Sequence, residues 1–206
     1  MILNPDIERY MNGLLPPRDA VLAEMERVAE RGKIPIIGPA VARVLAQLVM
    51  ISGAKRIFEL GSAIGYSTIW LARAAGPGAE VHYTDGSAEN AAEARGYIER
   101  AGLSASIHIH VGDALSALSD TLGQFDFIFN DIDKEGYPAV LQAVPSRLRR
   151  GGVFATDNTL WYERVLKPNE PSDRAVVQFN RELYESAQFF TTLLPLRDGL
   201  SVAIRT

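Results

Sequence analysis

Cysteine is absent from the 206-residue chain, and histidine occurs only three times. The first absence removes disulfides and thiolate metal sites, and it permits a reducing compartment. Positive charge is never concentrated: 21 lysines and arginines face 25 acids, for a net charge of −4, and the densest basic run, Arg147 to Arg150, is short. Nucleic-acid binders usually carry a basic stripe, so no nucleic-acid partner is expected. No segment approaches the ~18 apolar residues of a membrane span. The opening residues, with Asp6 and Glu8, do not read as a signal peptide. A cytoplasmic protein away from membranes is the expectation. Apolar residues make up 47% of the chain, enough for a single domain over 1–206 to bury roughly 70% of its extended surface.

What is present is an alternation. Pro16-Pro17 precedes a helical pattern with Val21, Leu22, Met25 and Val28 on one face, and a second helix starts near Gly38. Short apolar strands then read at 55–60, 79–85, 106–112, 125–131 and 151–158, each followed by a helical or polar segment. Strands alternating with helices predict an α/β fold: a mostly parallel sheet with helices on both faces. The last two strands, AQFFTTLLPL and LSVAIRT, flank Arg197-Asp198-Gly199. They read as an antiparallel hairpin, which completes seven strands with one antiparallel C-terminal strand. The stretch 156–171 reads as a long loop, a common place for function.

Ligands of open α/β sheets lie beyond the carboxyl ends of the strands. Reading those ends together gives Glu59 and Gly61, Asp85, Gly112 and Asp113, Asp131 and Asp133, and Asp157 with Asn158. The first turn, ELGSAIGYS, has glycines for a tight turn and a close approach, but not the spacing of a dinucleotide fingerprint. The acid before it disfavours a diphosphate and favours a cationic or hydroxyl-bearing ligand. Asp85 falls 24 residues after Gly61, where an acid can hold both ribose hydroxyls of an adenosine. The segment FDFIFNDIDKEGYP ends a buried strand on Asp131, Asp133 and Lys134. By itself that cluster also reads as a solvated turn with a local ion pair. Asp157-Asn158 by itself also reads as a turn or cap. His82, His108 and His110 lie outside these motifs and read as structural. Trp161 and Tyr162 read equally as an aromatic wall or as loop packing.

ELGSAIGYS resembles the first motif of class I S-adenosylmethionine-dependent methyltransferases, which implies a Rossmann-like methyltransferase fold. More narrowly, DIDKEGY and DNTLW resemble the cation-dependent O-methyltransferases, the catechol and caffeoyl-CoA O-methyltransferase family, and the likeness runs from about Ile34 to the end. The resemblance implies Asp131, Asp157 and Asn158 as ligands of a divalent cation, with Mg²⁺ ahead of Mn²⁺ or Ca²⁺. It implies Lys134 as the base that takes the acceptor's proton. It implies Glu59, Gly61, Ser67, Asp85, Asp113, Ala114, Asp131 and Asp133 as residues of the S-adenosylmethionine site. Like charge from a neighbouring dication favours a neutral amine, the form that can accept a proton. The acceptor is expected to be a catechol-like small molecule. Residues 1–53 are expected to shape its pocket or a homodimer interface, although Ile36-Ile37-Gly38 supplies no hydroxyl where some relatives have a threonine.

Two other functions compete. Asp131-x-Asp133 after an apolar strand resembles the nucleophile motif of haloacid dehalogenase phosphohydrolases, but there it belongs on the first strand. A non-catalytic S-adenosylmethionine-binding module would use the donor site and leave Lys134 idle.

Overall fold

The computed structural model describes residues 4–206. Three helices lead, α1 (Pro5–Gly13), α2 (Ala20–Gly32) and α3 (Gly38–Ser52). The alternation follows: β1 (Arg56–Leu60), α4 (Tyr66–Ala75), β2 (Glu80–Asp85), α5 (Ala88–Arg100), β3 (Ile107–Val111), α6 (Ala114–Asp120) and β4 (Phe125–Asn130). It continues through α7 (Tyr137–Arg147), β5 (Leu148–Thr156), α8 (Pro171–Glu185), β6 (Phe189–Leu194) and β7 (Leu200–Arg205). Helix α1 is an element the sequence reading does not include, although Ile7, Tyr10, Met11 and Leu14 recur at helical spacing. It has no buried residue, and local chemistry makes it: Asn4 accepts from the Asp6 amide and Pro5 opens the first turn.

The seven strands form one sheet in the order β3-β2-β1-β4-β5-β7-β6. All neighbours are parallel except β7, which is antiparallel to both β5 and β6. This is the predicted architecture. Alternate residues of each strand feed two cores, as the period of two requires. Ile57, Phe127 and Phe129 pack with α2 to α5 on one face. Phe58, Leu60 and Ile128 pack with α6, α7 and α8 on the other. The strands therefore keep one end for loops, and the order reverses between β1 and β4.

The histidines sit away from those loops. His82 is buried against Phe58, its ring stacked 5.5 Å away, with Nε2 2.6 Å from Glu80 Oε1 and Nδ1 2.9 Å from His110 Nε2. Burial pushes His82 and His110 below the ordinary 6.5. A folded-state value below the unfolded one means the unfolded chain binds protons first. Stability is therefore complete above about pH 6.5 and is lost as pH falls toward the folded values. We expect the thermal midpoint to drop between pH 7 and 5, and to drop less in His82→Phe, measured by circular dichroism melts at fixed ionic strength.

Candidate active site

At the reversal between β1 and β4 the strand ends border a cavity of about 1570 Å³. Such a switch point is where ligands enter α/β sheets. Gly61 opens the turn after β1 with φ +82°, and a Cβ there would lie 2.6 Å from the Asp131 carbonyl oxygen and 2.9 Å from the Ile132 nitrogen. The two strand ends thus meet backbone to backbone, which only glycine permits. Gly61→Ala is expected to cost about 2–4 kcal/mol, read as a lower urea midpoint at unchanged slope.

Glu59 lies behind this turn, fully buried. Ser62 donates to its Oε2 at 2.8 Å, and Thr68 donates to the same oxygen. Burial pushes the carboxyl up to about 7, while the Ser67, Thr68 and Ser62 hydroxyls pull it down. Ser67 also lines the cavity, whereas Glu59 is not among its lining residues. Glu59 therefore braces the glycine turn from beneath. Asp85, at the end of β2, is held rigid: Oδ2 accepts from the Ala63 amide at 2.9 Å, and Oδ1 accepts from the Ser87 amide at 2.8 Å and Asn90 Nδ2 at 3.1 Å. Asp113 caps α6, accepting from the Ser116 amide and hydroxyl, both at 2.7 Å, and these bonds hold its carboxyl below the usual range. Gly61, Ser67, Asp85, Asp113, Ala114 and Asp133 all line the same cavity.

The other end of the cavity is acidic. Asp131 follows β4, its amide donating to the Leu60 carbonyl at 2.8 Å. Lys134 folds back on it: Nζ donates to Asp131 Oδ1 at 3.1 Å and to the Ile132 carbonyl at 3.2 Å. The same nitrogen stands 5.2 Å from the Tyr137 ring centroid and 5.3 Å from that of Trp161. Asp157 is placed by its amide, which donates to the Asn130 carbonyl at 3.1 Å, and by Tyr137, whose hydroxyl donates to the Asp157 carbonyl at 2.8 Å. Asn158 turns the chain after β5 with φ 57°, a left-handed conformation that asparagine tolerates better than most residues. Its Nδ2 donates to Asp198 Oδ2 at 2.9 Å.

Asp198 was not among the residues expected here. It comes from the turn between β6 and β7, and an acid before glycine in a hairpin turn reads as turn chemistry. In the fold it is buried beside Asn158 and adds a third carboxylate to Asp131 and Asp157. Burial pushes the Asp157 carboxyl well above its usual range, and repulsion from Asp131 and Asp198 pushes it further. Asp131 is also pushed up by burial, and its ion pair with Lys134 pulls against that. Trp161 resolves as wall and packing together: it lines the cavity, packs on the α7–α8 core, and its Nε1 donates to Asp173 at 3.1 Å.

Among the described residues, no three His, Cys, Asp or Glu side chains are grouped as a metal cluster. The expected set is smaller, two carboxylates and one amide oxygen, and two observations fit it to a hard divalent cation. Asp157 Oδ1 and Asp198 Oδ1 are buried without a protein partner. Asn158 gives its Nδ2 to Asp198, which leaves its carbonyl oxygen for a cation.

A sheet of this order with a glycine turn, a braced acid on β2 and a lysine among strand-end acids is the arrangement that the resemblance to S-adenosylmethionine-dependent methyltransferases implies. Residues 18–206 match the O-methyltransferase family model, and the chain belongs to that family. It is 33% identical to a catechol O-methyltransferase of Niastella koreensis over 96% of each chain. It is 32% identical to a catechol O-methyltransferase of Mycobacterium tuberculosis, over 82% of this chain and 78% of that one. Its fold matches the crystal structure of an O-methyltransferase from Bacillus cereus in complex with SAH at a TM-score of 0.88, with 31% identity over 98% of this chain and 97% of that one. The phosphohydrolase alternative loses its footing, because Asp131-x-Asp133 follows the fourth strand in chain order and not the first.

Proposed function

We propose that the protein transfers the methyl group of S-adenosylmethionine to a hydroxyl of a catechol-like small molecule, assisted by a divalent cation, Mg²⁺ ahead of Mn²⁺ or Ca²⁺. The observation that carries this reading is one cavity with two chemically different ends. Gly61, Ser67, Asp85 and the Asp113-Ala114 turn suit the donor's amino acid and ribose. Lys134, Asp131, Asp157 and Asn158 suit the acceptor's hydroxyls. A bound cation held by Asp131, Asp157 and Asn158 would supply charge that favours the ionised hydroxyl.

Lys134 takes the acceptor's proton at Nζ. The new O–CH₃ bond forms as the sulfonium S–CH₃ bond breaks, and the donor leaves as S-adenosylhomocysteine. Opposite charges on nucleophile and sulfonium diminish together, so the protein contributes chiefly alignment. Asp131 anchors Lys134, and the Tyr137 and Trp161 rings restrict where its stem can swing. Residues 1–206 act as one methyltransferase domain, and residues 33–37 form part of the acceptor wall. A second copy of the chain is the partner this reading favours, supported by Ile7, Tyr10 and Met11 exposed on α1 and Leu14 exposed directly after it.

The test uses labelled S-adenosylmethionine, a panel of catechols and Mg²⁺, with and without a chelator. Methyl transfer abolished by the chelator is the expected result. Absence of donor binding by calorimetry would reject the reading, and turnover indifferent to chelator would remove the cation from it.

A further inference from the structure

Three segments frame the acceptor end of the cavity: residues 33–37, Asn158 to Tyr162, and the turn 195–199 between β6 and β7. The last two are locked together. The Leu160 and Trp161 amides both donate to the Asp198 carbonyl, at 2.7 and 3.0 Å, and a Cβ on Gly199 would lie 2.5 Å from the Leu160 nitrogen.

Arg197 occupies this turn with φ 52°. That is backbone which glycine adopts freely and a residue with a Cβ resists. Arg197 is exposed and lines the cavity, and its Nη1 donates to the Ile36 carbonyl at 3.0 Å. That engages one of five guanidinium donors. Among the described residues no carboxylate lies within ion-pair distance of it. Lys134, by contrast, is tied to Asp131. The charge of Arg197 is nonetheless felt at the acceptor end, where it offsets part of the upward push on Asp131 and Asp157. The wall beside it, Ile36, Ile37, Trp161 and Tyr162, is uncharged, and the acids at the same end of the cavity, Asp131 and Asp157, feel its charge without an ion pair to it.

From this geometry we infer that Arg197 determines acceptor specificity by receiving a carboxylate carried on the ring of the methyl acceptor. The inference rests on the methyl-transfer reading above and names the acceptor class for it: a ring with vicinal hydroxyls and an anionic substituent. The planar fork of a guanidinium matches a carboxylate through two parallel hydrogen bonds. A neutral catechol leaves that fork unused, and a cationic substituent is repelled by it.

The experiment uses full-length protein with S-adenosylmethionine and Mg²⁺ and compares catechol, 3,4-dihydroxybenzoate and 3,4-dihydroxybenzylamine. Arg197→Gly suits the backbone at this position, so folding is safeguarded and a thermal melt confirms it. In Arg197→Gly the kcat/KM ratio of dihydroxybenzoate to catechol is expected to fall about tenfold, through KM. The ratio of benzylamine to catechol should rise, and Arg197→Lys should lie between. A uniform change across all three acceptors would reduce Arg197 to balancing the nearby acids and overturn the inference. Calorimetry of 3,4-dihydroxybenzoate with S-adenosylhomocysteine and Mg²⁺ separates the two readings. Binding weakened about tenfold in Arg197→Gly, without turnover in wild type, would spare the anion site and reject methyl transfer. Binding equal in both proteins, or absent from both, would overturn the role of Arg197.

Discussion

Lys134→Ala is expected to lower kcat by about 10²- to 10⁴-fold, the range of general base catalysis, while donor binding measured by calorimetry stays within a few-fold. The residue is positioned for one task. Its stem is nearly buried, its nitrogen is anchored at 3.1 Å by Asp131, and two aromatic rings flank it. None of the groups that brace Asp85 or Asp113 involves it. Lys134→Arg should fail to restore turnover, because a guanidinium keeps its charge but does not release a proton at accessible pH. That pair of variants separates a proton acceptor from a fixed positive charge. Lys134→Ala with full turnover would remove the lysine from the chemistry. Rescue by Lys134→Arg would make the lysine an electrostatic clamp.

Most of the scaffold was legible because it obeys short periods. Strand positions at 55–60 and 125–131 agree with β1 and β4 to within a residue. Ile57 to Leu60 and Phe127 to Phe129 are buried without a break, as parallel strands covered on both faces must be. The strand-end acids were legible for a similar reason: a charge straight after such a run is costly unless a ligand or an opposite charge meets it. Where the reading stopped, the chemistry was local or tertiary. Helix α1 carries an apolar stripe, Ile7, Tyr10 and Met11 with Leu14 directly after it, that buries nothing within the chain, and its start is set by a cap and a proline. Glu59 lies beneath the glycine turn, where Ser62 and Thr68 donate to Oε2 and Oε1 is buried without a protein partner, an arrangement that the spacing of hydroxyls in the sequence does not signal. Asp198 lies 40 residues beyond Asn158, whose amide it accepts from, and Arg197 precedes it, bonded to the Ile36 carbonyl, in a turn whose composition looks complete as a turn. The segment Trp161–Leu166 read as loop. It carries three successive non-glycine residues with positive φ, Trp161, Tyr162 and Glu163, a backbone course that no composition signals.

The buried acids set function against stability, and Asp157→Asn exposes the conflict. Asp157 is buried with Oδ1 unpartnered among the protein's own atoms, facing repulsion from Asp131 and Asp198. Charge in such a place destabilises the fold unless something compensates it. An amide of the same shape removes the charge and keeps the volume. Asp157→Asn is therefore expected to stabilise the metal-free protein by about 1–3 kcal/mol, several degrees in thermal midpoint for a chain of this size. The same change should lower kcat/KM by about 10²-fold or more, in keeping with loss of a metal-organising ligand. Added Mg²⁺ should raise the wild-type midpoint, as any ligand that binds only the native state does, and should barely move that of Asp157→Asn. Melts with and without chelator, run beside the methyl-transfer assay, read all of these outcomes. A variant less stable than wild type in chelator would mean that Asp157 is compensated within the protein. A variant that is stabilised and keeps full Mg²⁺-dependent turnover would place the cation elsewhere.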